Sequence, residues 1–239
     1  QQSVPELDEE RVAAILCTAD SAGDPKPVER TQANIAAEAR QVAAALKLTG
    51  DDRTLLTIPL FHSFGFDVGL VSALSVGAAL YLEDDVAASR ILKLVREHKI
   101  TVLPGGPAMF EEMVRLPAAR PLTHKPVRFI SAGGGLTGAQ LESFRKKFGL
   151  RPLSCFHTTE TGTISLDAKG QSGATVGKPL DGVQVRITSP KTGKPAASGR
   201  KGLVWIRSQA VSPLAFARNG AQAEAGGVPV GARDGEGDR

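Results

Sequence analysis

Between Thr54 and Phe156, short apolar runs alternate with longer stretches of helical period, and this alternation restricts the fold more than any other feature of the chain. Thr54–Ile58, Ala78–Leu82, Ile100–Leu103, Val127–Ser131 and Leu153–Phe156 read as strands. Between them lie a small-residue helix near Val68 to Val76, a helix with Ala88, Ile91, Leu92 and Val95 on one face, and a short helix after Pro107 through Arg115. The best-specified start is at Thr137, which has capping-box spacing to Gln140 while Leu136 can staple onto Leu141; that helix ends near Phe148-Gly149. Strands separated by helices imply parallel pairing through right-handed crossovers.

The flanks differ in texture. Val12–Cys17 reads as a strand, residues 18–28 as a loop of small and turn-forming residues, and Thr31 caps a helix through about Leu48 that Gly50 stops. Ile35, Ala39, Val42 and Leu46 form its apolar face. After Gly162, Val183, Val185 and Ile187 alternate with polar residues and Leu203–Ile206 is a second extended run, so a β-hairpin is expected, with an irregular tail from Arg218. The expectation is an α/β fold: a parallel sheet with flanking helices over 1–165, then a smaller β-rich segment with its tail over 166–239.

The chain has 239 residues, 41% hydrophobic and 23% charged, enough to bury a full core. Its net charge of +4 is scattered without a basic block, which gives no support for a nucleic-acid partner. The longest apolar stretch, Val68 to Leu82, is interrupted by Ser72, Ser75 and Gly77 and is too short to span a bilayer. Cys17 and Cys155 lie far apart in apolar surroundings and read as buried free thiols, consistent with a cytoplasmic setting. His98 and His124 read as solvent-facing.

In an open parallel sheet, ligands collect at the carboxyl ends of strands. The loops at 18–28, 61–66, 104–107, 132–136 and 156–162 are all expected there. Thr158, Thr159 and Glu160 place two hydroxyls and a carboxylate after a buried strand, a set suited to Mg²⁺ bound with substrate phosphates. An ordinary polar turn is the competing reading. Phe61-His62-Ser63-Phe64-Gly65-Phe66 is an aromatic turn at a strand end and a pocket candidate. A P-loop is excluded, because Gly23-Asp24-Pro25-Lys26 lacks the required frame.

These segments, in this order, resemble the adenylate-forming superfamily of acyl-CoA synthetases, luciferases and adenylation domains. Thr18 to Val28 is similar to its phosphate loop, and Pro59 to Phe66 to its acyl-pocket motif as found in fatty-acyl ligases. Ser131 to Leu136 resembles its adenine-side segment, Phe156 to Glu160 its Tyr-Gly-x-Thr-Glu motif, and Val176-Gly177-Lys178-Pro179 the Gly-x-Pro segment that follows. The resemblance implies that Thr18, Ser21, Gly23 and Lys26 hold phosphates, and that Gly133, Gly134 and Gly135 border the adenine on which Phe156 stacks. It further implies that Thr159 bonds the α-phosphate, that Glu160 ligates Mg²⁺ and that His62 stands between acyl pocket and phosphate. His157 stands where Gly is usual and either bonds a ligand or is structural. The implied activity consumes ATP to convert a fatty or aromatic carboxylic acid to an acyl adenylate. Coenzyme A or a phosphopantetheine carrier then takes the acyl group, which makes an acyl carrier protein a candidate partner.

The chain also departs from that pattern. Asp20 replaces Gly and opposes a triphosphate, Ala22 replaces a hydroxyl residue and Pro27 replaces Gly. A non-catalytic acyl- or carrier-protein-binding relative with a degenerate phosphate loop is therefore the alternative expectation. The downstream Tyr-Arg-Thr-Gly-Asp motif and the mobile C-terminal lid domain find no match, so a piece truncated at both ends is expected.

Overall fold

The computed structural model describes residues 8–18, 25–117, 121–124, 127–170, 175–212 and 228–230. Strands β1 (Val12–Cys17) and β2 (Pro27–Thr31) form an antiparallel pair, followed by helix α1 (Gln32–Leu46). Then come β3 (Arg53–Leu56), a π-helical segment Gly65–Val71 continuing into α2 (Ser72–Ser75), β4 (Ala79–Leu82) and α3 (Ala88–Glu97). Next are β5 (Val102–Gly105), α4 (Pro107–Arg115), β6 (Arg128–Ser131), α5 (Gly138–Phe148) and β7 (Leu153–Thr158). The remaining strands are β8 (Gly162–Leu166), β9 (Lys178–Pro179), β10 (Gln184–Thr188), β11 (Leu203–Arg207) and β12 (Val228–Val230).

The main sheet has the order β4-β3-β5-β6-β7-β8-β9, parallel from β4 through β7 and antiparallel across β8 and β9. Its strands are apolar on both faces because helices cover both. On β5 and β6, Val102 and Ile130 turn toward a cluster with Val42 and Leu46 of α1 and Val68 of the π segment. Their neighbours Leu103 and Phe129 turn the other way, toward Ile91 and Val95 of α3, Phe110 of α4 and Phe144 of α5. Phe144 meets Phe110 and Phe129 edge-on at 5.7 and 5.5 Å, a favoured aromatic geometry. Arg128 of β6 donates to the last carbonyl of α1, Leu46 O, at 2.7 Å and pairs with Asp52, which fastens helix to sheet.

The alternation read from the sequence is thus the architecture, and the capping box at Thr137 is formed: its hydroxyl accepts from Gln140 N at 3.2 Å. Several boundaries differ. The loop expected over 18–28 is shorter, since Pro27 already pairs with Cys17 in a hairpin of its own, outside the parallel sheet. Helix α1 ends at Leu46 through Lys47 in the left-handed conformation, ahead of Gly50. The helix expected near Val68 begins earlier, as π turns from Gly65. The division expected at residue 165 falls inside β8, and β9 continues the same sheet. The expected hairpin is β10–β11, but the tail is not wholly irregular, because β12 pairs with β11; the rest of the stretch from Arg218 lies outside the described residues.

Two side-chain expectations also change. Cys17 is exposed, since the β1 face it occupies is not covered, whereas Cys155 is buried and burial pushes its thiol pKa up. His98 and His124 are half-buried rather than solvent-facing: His98 lies 4.8 Å from the Tyr81 ring, and His124 Nε2 contacts Ile100 O at 2.7 Å. Among the described residues, no helix is long and apolar enough to cross a membrane.

Gly177 sits where β9 crosses β8, with φ +85° and space for a Cβ closed by the Leu166 carbonyl at 2.0 Å. Gly177→Ala is therefore expected to destabilise the chain by about 2 kcal/mol or more, read from denaturant midpoints. In thiol labelling of the native chain, Cys17 is expected to react at once and Cys155 only on unfolding; equal rates would contradict the burial described.

Candidate functional site

Strand order reverses at β3, whose successor β4 lies on one side and β5 on the other. Where two parallel strands send their connections to opposite sides, a crevice opens at their carboxyl ends. A cavity of about 440 Å³ occupies that position. Ile58, His62, Ser63 and Phe64 reach it from the turn after β3, Gly105 and Gly106 from the end of β5, and Ala132 and Gly133 from the end of β6. His157, Thr158, Thr159 and Glu160 close it from β7 and its turn, and Thr18 enters from the β1–β2 hairpin.

Of the residues singled out in the sequence, the fold brings Thr18, His62, Gly133, His157, Thr159 and Glu160 to this cavity. Lys26 is held at its edge, since its N–H donates to Thr18 Oγ1 at 3.2 Å and its carbonyl accepts from Thr18 N at 2.9 Å. Gly134, Gly135 and Phe156 do not line it; Phe156 packs against the α1-side core instead, because β7 continues to Thr158 and pairs it with Ser165. Ser21 and Gly23, with Asp20 and Ala22, lie outside the described residues. His62 Nδ1 accepts from Phe64 N–H at 3.3 Å, which leaves Nε2 to carry a ring proton.

The turn from Thr158 to Thr161 is held at many points. Thr161 N donates to Thr158 Oγ1 at 3.2 Å, Ser212 N donates to Glu160 O at 2.9 Å, and Ser63 Oγ and Thr159 Oγ1 lie 3.0 Å apart. Beneath it lies a fully buried polar cluster. Arg30 of β2 pairs with Asp67 of the π segment at 3.0 Å, both completely inaccessible, and Arg30 Nη1 also donates to Thr159 O at 3.3 Å. Glu38 of α1 accepts from Thr163 N at 2.9 Å, and His157 spans from Ser63 Oγ at 3.2 Å to Thr163 Oγ1 at 3.3 Å. Burial, and then the Arg30 and His62 charges, push the His157 pKa down to about 3, so the ring facing the cavity is neutral.

The family profile of AMP-binding enzymes matches residues 1–214. The chain belongs to the AMP-binding enzyme family. An oxalate–CoA ligase of Arabidopsis thaliana is 31% identical over 209 residues, covering 84% of this chain and 40% of the relative. The ATP-bound MatB structure from Rhodopseudomonas palustris superposes with a TM-score of 0.84 at 22% identity, over 94% of this chain and 46% of that one. An O-succinylbenzoate coenzyme A synthetase from Bacillus subtilis, in complex with ATP and magnesium, gives 0.82 at 22% identity over 97% and 49%. The chain thus spans about two fifths of the length of the curated relatives it matches.

For a member of this family, the cavity's own donors fit a hard cation: the Thr159 hydroxyl and the Glu160 carboxylate offer oxygen, and among the described residues no thiolate lines the wall. The sequence reading passed over Arg30, Glu38 and Asp67, and named Ser63 only within the aromatic turn. A signal for three of them was present. Arg30 shares its strand face with buried Val28, Glu38 stands four residues from buried Asn34 and Val42 on the inner face of α1, and Asp67 interrupts an apolar run. Charges at core positions announce a buried network.

Glu38 supplies a pH test. Burial first, then the Asp67 charge, raise its pKa from 4.5 to about 7, against the Thr163 hydrogen bonds and the Arg30 charge. The folded chain keeps a proton that the unfolded chain releases, so the stabilisation is full below pH 4.5 and is lost as pH rises to about 7. Integrated over that window, the loss is on the order of 3 kcal/mol. Glu38→Gln keeps an acceptor for Thr163 N and has no proton to lose. Its unfolding free energy relative to the native sequence is expected to rise between pH 4.5 and 7 and then level off; a flat difference would refute the assignment.

Proposed function

We propose that the chain is the nucleotide- and acid-binding part of an acid–thiol ligase that activates a carboxylic acid with ATP and transfers the acyl group to a thiol. The observation that carries this reading is the convergence of His62, Gly133, Thr159 and Glu160 on one cavity at the strand-order reversal. The membership of the AMP-binding family supports the same chemistry. Adenylation brings a carboxylate against an α-phosphate, so two anions must be neutralised and the attacking oxygen aligned with the leaving pyrophosphate.

This chain's residues divide that work. The Thr159 hydroxyl, oriented by Ser63, donates to the α-phosphate, and the His62 ring, whose Nδ1 accepts from Phe64 N–H, offers its Nε2 proton to the carboxylate or phosphate oxygen between them. Glu160 would hold Mg²⁺, which supplies charge neutralisation for the phosphates. Thr18 and Lys26 present the β1–β2 hairpin to the outer phosphates. Ile58, Phe64, Gly105 and Ala132 give the cavity an apolar wall, which favours an acid with an apolar body, fatty or aromatic. The thiol is that of coenzyme A or a phosphopantetheine carrier, and the two free cysteines support a reducing, cytoplasmic setting.

A titration with Mg-ATP and AMP tests the reading. Saturable binding is expected, weakened tenfold or more in Glu160→Ala and in Lys26→Ala. Acyl-ligand binding with no nucleotide binding would point to the non-catalytic relative, for which the acidic Asp20 within the segment that resembles the phosphate loop is the favouring feature.

A further inference from the structure

The buried charges under the cavity do not belong to the ligand-facing set, yet they touch it from behind. Arg30 lies in β2, whose inner face is otherwise apolar at Val28, and Asp67 lies in the π segment between buried Phe64 and Val68. Both side chains are wholly inaccessible. A buried ion pair is a weak source of stability, because desolvation offsets its attraction, so its retention in a core points to geometry. The geometry here is specific. One guanidinium nitrogen, Arg30 Nη1, faces Asp67 Oδ2 at 3.0 Å and the carbonyl of Thr159 at 3.3 Å.

We propose that the Arg30–Asp67 pair is a positioning device that fixes the Thr159 peptide and thereby aims the Thr159 hydroxyl and the Glu160 carboxylate into the cavity. Asp67 anchors the guanidinium to the π segment, and the guanidinium anchors the turn. The next carbonyl, Glu160 O, is held by Ser212 N, so the carbonyls of two consecutive residues are both pinned. With both pinned, Glu160 between them and Thr159 just before them have defined directions. The cluster could be taken for a metal centre, since ligand atoms of Glu38, Asp67 and His157 lie within 4.8 Å of one another. Arg30 already places a cation there and occupies Asp67 Oδ2, so the cluster carries its own positive charge.

This inference rests on the function proposed above only where it speaks of nucleotide affinity, and its test separates the two. In the full chain, Arg30→Met combined with Asp67→Leu removes both charges together and leaves neither stranded. The double variant is expected to unfold cooperatively near the native temperature. Its Thr161 and Thr163 amides should exchange with deuterium at least tenfold faster than in the native chain without ligand, while those of α5 are unchanged. Its Mg-ATP dissociation constant should rise tenfold or more. Native exchange at those amides in the folded double variant overturns the proposal, as does native Mg-ATP affinity. If the unmutated chain binds no Mg-ATP, the functional reading fails and exchange alone decides the positioning role. Should the double variant not fold, Arg30→Lys decides: its shorter, non-planar head keeps the buried charge but releases Thr159. Threefold or greater acceleration at the same amides is then expected, and native rates overturn the proposal.

Discussion

A parallel sheet with helices on both faces leaves only the ends of its strands free to meet a ligand. Here that constraint governs almost everything of functional interest. Val102 and Leu103, or Phe129 and Ile130, are adjacent residues committed to opposite cores, so neither face has a surface to spare. Ligand contact is confined to strand ends and the turns that leave them, and the reversal of order at β3 decides which strand ends stand apart far enough to admit a small molecule.

The exception to the apolar interior is as informative as the rule. Arg30, Glu38, Asp67 and His157 occupy positions that sheet and helix geometry assign to the core. An isolated charge there would be prohibitive, but the four share neighbours, and their protonation adjusts: burial lifts Glu38 and depresses His157. The outcome is a polar pedestal beneath one turn, with Gly162 at φ +71° pressed so close to Glu38 that a Cβ there would meet the carboxylate at 2.3 Å.

The sequence disclosed the sheet because periodicity and capping are local. Thr137 and Gln140 are three residues apart, and their mutual hydrogen bonds needed no tertiary information to foresee. The same holds for the turn after β7, where hydroxyls and carboxylate are contiguous. Pairings across long separations are illegible: nothing local says that Arg30 meets Asp67, that Ser212 supports Glu160, or that half-buried Phe156 packs against the α1-side core. The exposure of Cys17 was illegible for a related reason, since an apolar run does not reveal that its sheet has two strands among the described residues.

The pedestal's members come from β2, α1, the π segment and β7, separated by up to 129 residues where Arg30 meets the Thr159 carbonyl. Contacts of such long range form late, after the loop-closure entropy of the intervening chain has been overcome. A chain in which they have not formed would own a nearly complete sheet but a slack turn at the cavity, so an ordered turn reports that the tertiary structure around it has closed.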